Sequence, residues 1–236
     1  MKFTLHRSGC RGHFDHGWLK TWHTFSFASY YNPDRMHFGA LRVLNDDIVQ
    51  AGMGFGTHPH DNMEIITIVL DGELEHRDSM GNGSVISSGE VQVMSAGTGI
   101  QHSEFNHSET SDVNLLQIWV FPDKKNVEPR YGQAKFQENE MNENWRTIVS
   151  PDGKDNSLWI NQQAWFSLGV FSSETTSSYE MKKPGNLLYL FVISGELNVG
   201  SETIHQRDGL CIEEIESNVL MKTIKQSKIL AMEIPV

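Results

Sequence analysis

Gly52–Glu64, GMGFGTHPHDNME, and Gly89–Asn106, GEVQVMSAGTGIQHSEFN, are two glycine-bracketed segments that carry histidines at strand spacing. His58 and His60 stand two apart, as do His102 and Glu104. In an extended strand, residues i and i+2 project from one face, so each pair aims both side chains at one point. Two such strands side by side deliver three imidazoles and a carboxylate. That mixed nitrogen and oxygen set suits a divalent transition metal, and four protein donors on an octahedral ion leave two positions for chemistry. Glu64 is a second candidate for the carboxylate, because it shares the parity of His60. Four residues of unbroken strand cover about 13 Å, so Glu64 needs a bend in the chain where Glu104 needs none.

The runs around these segments read as short strands. EIITIVL is β-branched and ends at the turn signal Asp71-Gly72, and Asn82-Gly83 marks a hairpin between the two histidine segments. Pro59, between the paired histidines, lacks a donor and implies an edge strand or local irregularity. Trp18–Tyr31 alternates aromatic and polar residues and suggests a strand whose rings pack a core, with a weaker reading in which some line a pocket for a flat substrate. GALRVLNDDIVQAG predicts a strand, a turn at Asn45–Asp47 and a return strand. LLQIWVFP is a further strand, and the proline and charge cluster after it marks a linker near Phe121–Arg130. QENEMNENW is polar and predicted to be solvated.

The first segment resembles the opening motif of cupins: Gly52, His58, His60 and then Glu64. The second resembles their closing motif at Gly89, Gly99, His102 and Asn106, with Ser95 where proline is usual and two extra residues before the histidine. Those departures, with HPH, MSAGTGIQHSE and the early GWLKTWHTFSF, resemble the pirin branch of the bicupins. The resemblance implies an all-β chain of two tandem cupin barrels, each a double-stranded β-helix or jelly roll. It also implies that the metal ligands are His58, His60, His102 and the second-motif Glu104. Bacterial pirin-like proteins are associated with quercetin 2,3-dioxygenase activity. The expected reaction therefore opens a small, aromatic flavonol with O2, with Glu104 as the catalytic base. Fe(II) is the first choice of metal, and Mn, Ni, Co, Cu and Zn fit similar donors. Two other readings fit the same ligands: a metal- or redox-sensing regulatory binding protein, as some pirins are, and an O2-independent cupin isomerase or hydrolase.

IVLDGEL at Ile68–Leu74 is repeated as FVISGEL at Phe191–Leu197, followed by Gly89 and Gly209 respectively. Aligned on those glycines, Met181 and Lys183 stand opposite His58 and His60, and Lys222 and Ile224 opposite His102 and Glu104. Protonated lysines are not metal donors, so the expectation is an N-terminal metal-binding cupin over residues 1–125 and a C-terminal cupin without ligands over 126–236, with one metal per chain.

Composition bounds the rest. The 236 residues carry 30 Asp and Glu against 19 Lys and Arg, for a net charge of −11. Such a surface repels phosphate backbones, and with no basic patch visible in the sequence, direct nucleic-acid binding is not expected. No apolar run is long enough to span a bilayer, and MKFTLHRSGCRGHF lacks the apolar core of a signal peptide, so the expected setting is cytoplasmic. The two cysteines, Cys10 and Cys211, are expected to be free thiols. A protein partner leaves no signature that the sequence shows.

Overall fold

Isoleucine, valine and leucine dominate Glu64–Asp71 and Val113–Val120, and both segments fold as strands buried on both faces. They form the centre of the first half. A computed structural model describes residues 1–236. Its first strands are β1 (Lys2–His6), β2 (Gly12–Asp15), β3 (Leu19–His23), β4 (Leu41–Val49), β5 (Gly54–His60), β6 (Glu64–Asp71), β7 (Glu73–Asp78), β8 (Gly83–Ser87), β9 (Glu90–Ser95), β10 (Ile100–Asn106), β11 (Val113–Val120) and β12 (Arg130–Lys135). A seven-stranded sheet in the order β12-β9-β6-β11-β4-β3-β2 faces a four-stranded sheet in the order β5-β10-β7-β8.

After a short helix, α1 (Glu138–Met141), come β13 (Trp145–Ser150), β14 (Leu158–Trp159), β15 (Trp165–Phe171), β16 (Thr176–Glu180), β17 (Leu187–Val199), β18 (Glu202–His205), β19 (Gly209–Glu213) and β20 (Asn218–Ile234). These strands and β1 make one continuous sheet, because β17 and β20 are long enough to serve both faces of the second barrel. β20 pairs with β16 through Asn218–Lys222 and with β15 through Ser227–Glu233. Gly195, at φ 97°, sits among register shifts where β17 crosses from one face to the other. The chain is all-β, two tandem cupin barrels. Each half lends a strand to the other's sheet: β1 pairs with β19, and β12 pairs with β9.

The two barrels have unlike interiors. The second encloses fourteen buried apolar residues, including Tyr179, Leu190, Val219 and Met221. The first encloses smaller apolar clusters, around Leu115 and Leu74 at one end and Ile65 and Met94 at the other. Polar side chains lie between them. Ladder partners share a face, so Asn45, Gln117, Thr67 and Gln92, paired in succession across β4, β11, β6 and β9, form a polar row, buried except for half-buried Gln117. The largest core lies between the barrels, where Ile66, Leu116 and Ile118 meet Phe166, Tyr189, Phe191 and Met232. Each such side chain stabilises the join by about 1.5–3 kcal/mol.

Two local expectations need correction. Asn45–Asp47 is not a turn but the middle of the continuous strand β4. Turn propensity is overridden there because β3 and β11 satisfy the backbone on both sides, and the Asp46 side chain finds buried partners. Asp46 pairs with Arg11 and Arg207, and Asn114 donates to Asp46 Oδ1. Within Trp18–Tyr31, only Leu19–His23 is strand, and the rest bends back through a Phe27–Tyr30 bridge. The polar run QENEMNENW is solvent-exposed as expected apart from buried Met141 and half-buried Trp145, and within it Gln137 and Glu140 form a capping box that starts α1.

The glycine-anchored alignment of the halves also slips near the decayed site. Met181 and Lys183 lie beyond the end of β16, because the connection Met181–Asn186 is longer than its counterpart Asp61–Met63. The cross-strand pairs that reach the second core are Ser177–Met221 and Tyr179–Val219.

Candidate metal centre

β5 is the edge of the four-stranded sheet and pairs only with β10, so Pro59 removes no ladder bond from a second neighbour. The register sets His58 directly opposite His102 and His60 opposite Ile100. A bulge between His102 and Glu104 then shifts the pairing on β10. Ring centroids of His58, His60 and His102 are 4.4–4.9 Å apart, and one ligand nitrogen from each lies within 4.8 Å of the other two.

Two features prepare these rings as donors. His58 Nδ1 lies 2.8 Å from the Gly56 carbonyl, which holds the proton on Nδ1 and leaves Nε2 with its lone pair aimed inward, 3.0 Å from His102 Nε2. Burial, reinforced by the neighbouring imidazoles, lowers His102 to a pKa of about 2 and, with His58, lowers His60 to about 4. His60 and His102 are thus neutral at physiological pH, the form that binds metal. His102 Nδ1 is buried without a partner. Three converging imidazoles fit a divalent ion.

Glu104 lies on the same face of β10 and is 3% exposed. Its carboxylate accepts Gln117 Nε2 at 2.8 Å and Thr67 Oγ1 at 3.4 Å, so two strands of the facing sheet orient it. Burial raises its pKa, and the Gln117 bond and nearby His58 oppose that rise. Glu104 is not among the residues whose ligand atoms converge within 4.8 Å, which are the three histidines. Glu64, the other candidate, is buried on β6 and engaged elsewhere: Ser95 Oγ donates to it at 2.7 Å and Asn161 Nδ2 at 3.1 Å. It ties the first barrel to the second half.

Sequence reasoning did not find Gln117, Thr67, His76 or Trp119. His76 pairs in register with Glu104, is fully buried, and has neither ring nitrogen bonded. Trp119 packs edge-on against His60 at 4.9 Å and against Phe27 at 5.3 Å, which connects the early aromatic run to the centre. The available signal was a lone polar residue inside an apolar strand: Gln117 in LLQIWV and Thr67 in IITIVL. Such a residue is costly to bury without a partner. Beside His60 a cavity of about 560 Å³ opens between Pro59, Asp61, Ser79, Thr98 and Gln101.

Residues 5–120 match the Pirin family, and residues 147–234 match the family described as quercetinase C-terminal cupin domain. The chain is 41% identical over 231 residues to the quercetin 2,3-dioxygenase of Escherichia coli (strain K12), covering 98% of each. The chain belongs to the pirin family. Among solved structures, this pirin superposes on YhhW from Escherichia coli with a TM-score of 0.95 at 40% identity, over 100% of its own length and 99% of the other. It also superposes on the bacterial pirin YhhW in complex with nickel(II), with a TM-score of 0.94 at 40% identity over 99% of each chain. In this pirin, β5 and β10 supply the histidines, and the carboxylate is held from across the barrel by Gln117 and Thr67.

Proposed function

We propose that this pirin is a metal-dependent dioxygenase that opens a flavonol such as quercetin with O2. The observation that carries the reading is the convergence of three histidines beside an oriented, buried carboxylate, in a chain similar over its whole length to quercetin 2,3-dioxygenases. His58, His60, His102 and Glu104 would hold one divalent ion, Fe(II) first, which when bound supplies Lewis-acid and redox chemistry. The nickel(II) complex of a relative at 40% identity supports a divalent ion without selecting iron for this chain. The residues divide at about 125/126, and the ion belongs to the first unit.

The protein's own contribution is binding and proton management. The cavity beside His60 has room for a small aromatic molecule, and Trp119 packs behind the His60 ring. A flavonol hydroxyl entering from this side loses its proton to a carboxylate oxygen of Glu104, whose raised pKa suits a general base. Gln117 and Thr67 hold that carboxylate in place during the transfer. The oxidised substrate loses one carbon as carbon monoxide, and dioxygen supplies both oxygen atoms added to the opened product.

The test follows loss of flavonol absorption and oxygen uptake with iron-loaded protein, apo protein and His102→Ala. Equimolar oxygen uptake and substrate loss, confined to the loaded wild type, is the expected result. Turnover that continues without oxygen would favour an isomerase or hydrolase. Equal loss in all three samples would leave the sensing role as the better account.

A further inference from the structure

A cleft of about 450 Å³ lies on the seam between the two halves, away from the histidines. Its walls come from the N-terminal turn at Ser8 and Gly9, from Trp22 on β3, and from Gln206 and Arg207 in the β18–β19 connection. Two arginines converge there on one carboxylate. Arg11 Nη1 lies 3.2 Å from Asp46 Oδ2, with both side chains about nineteen-twentieths buried, and Arg207 Nε lies 3.6 Å from the same oxygen. Arg207 Nη2 donates to Asn114 Oδ1 at 3.1 Å, and Asn114 donates to Asp46 Oδ1 at 3.1 Å.

That network leaves a remainder. Asp46 neutralises one guanidinium, and Asp208, next to Arg207 in the chain, is already paired with Arg7 at 2.8 Å. Arg207 Nη1 is buried and bonded to nothing. Asn114 is uncharged, so the cluster keeps one positive charge inside a chain whose net charge is −11. A buried guanidinium N–H without an acceptor is unfavourable, and its forked donors match an oxyanion. The backbone adds to the picture. Arg207 holds φ at +65°, a region that side chains rarely adopt, with its N–H bonded to the Val192 carbonyl at 2.6 Å. Trp22 makes one wall: His13 stacks on its indole at 4.7 Å, and the Arg11 guanidinium lies 5.9 Å from the ring centroid.

We propose that this seam is an anion site in which Arg207 and Arg11 bind a small oxyanion, the phosphate or carboxylate group of a metabolite, and so couple ligand binding to the packing of one barrel on the other. The site is independent of the metal centre. A purely structural clamp would need no ligand.

Isothermal titration of the full chain with inorganic phosphate and with acetate, each against sodium chloride at matched ionic strength, tests it. The expected result is saturable binding of at least one ion at about one equivalent per chain. Loss of a charge-assisted bond in Arg207→Gln should weaken it about tenfold or more. Gln206→Glu, an exposed and nearly isosteric change on the cleft wall, should weaken it in the same direction, which covers the case where Arg207→Gln does not fold. Binding should persist in His58→Ala, which separates the cleft from the metal site. Phosphate binding alone assigns a phosphoryl ligand, and binding of both ions assigns a site that accepts carboxylates. No saturable binding above the chloride control, unchanged binding in Arg207→Gln or Gln206→Glu, or binding lost in His58→Ala would each overturn the proposal.

Discussion

Two buried glutamates close to the histidines divide by their partners. Glu104 is held by Gln117 and Thr67 on the face that carries His102, whereas Glu64 is consumed by Ser95 and Asn161. With cobalt(II) as a spectroscopic probe, Glu104→Ala should lower metal occupancy or change the visible coordination spectrum. Glu64→Ala should leave that spectrum alone and cost about 1–3 kcal/mol of stability, because it orphans buried donors. The reverse pattern would move the carboxylate assignment to Glu64. Asp47 is a different buried acid: burial raises its pKa to about 7, and its Oδ1 has no partner. Its unfolded value is about 3.9, so between about pH 4 and 7 the folded chain holds a proton that the unfolded chain has released. Stability contributed by this group therefore falls as pH rises through that window. Asp47→Asn should remove the fall and melt higher than the wild type at pH 8, relative to pH 5. Parallel melting curves across that range would show that Asp47 does not titrate in this way.

At the scale of the strand pair, metal geometry depends on how closely β5 lies on β10. Gly54 has no side chain because the Glu104 carbonyl oxygen and Phe105 Cα occupy the space a Cβ would take, while Gly56 on the same strand faces open space. Gly54→Ala should push the start of β5 off β10, lower stability by about 1–3 kcal/mol and weaken metal binding. Gly56→Ala should do neither. Thermal unfolding and metal titration of both variants check this, and equal behaviour of the two would remove backbone proximity as the cause. β4 shows the complementary effect. Asn-Asp-Asp is turn chemistry in isolation, yet a strand with neighbours on both sides keeps it extended.

For the whole molecule, the contrast between the two interiors sets the metal count. The first barrel places polar side chains at its middle, while the second fills the matching space with Tyr179, Val219 and Met221. Elemental analysis of metal-saturated protein should give about one equivalent per chain under the four-donor count, and the double variant His58→Ala, His60→Ala should bind essentially none. Two tightly held ions would require a second donor set that the Ser177–Met221 and Tyr179–Val219 pairs do not offer.

The fold class was legible through the resemblance to pirins, and the convergence of His58, His60 and His102 through period-2 spacing, a local property. His58, His60, His102 and Glu104 share faces whatever surrounds them. The repeat of IVLDGEL as FVISGEL likewise announced a second barrel from sequence alone. What needed the tertiary structure was everything decided by a partner distant in the chain. Gln117 and Thr67 matter because β11 and β6 face β10 across the barrel, and Asn45–Asp47 stays extended because Arg11, Asn114 and Arg207 reach it. The slip between Met181 and the true cross-strand pairs came from a longer connection, which an alignment anchored on glycines cannot register. Spacing within a strand is set by covalent geometry, whereas the pairing of buried charges and amides is set by which strands the fold brings face to face.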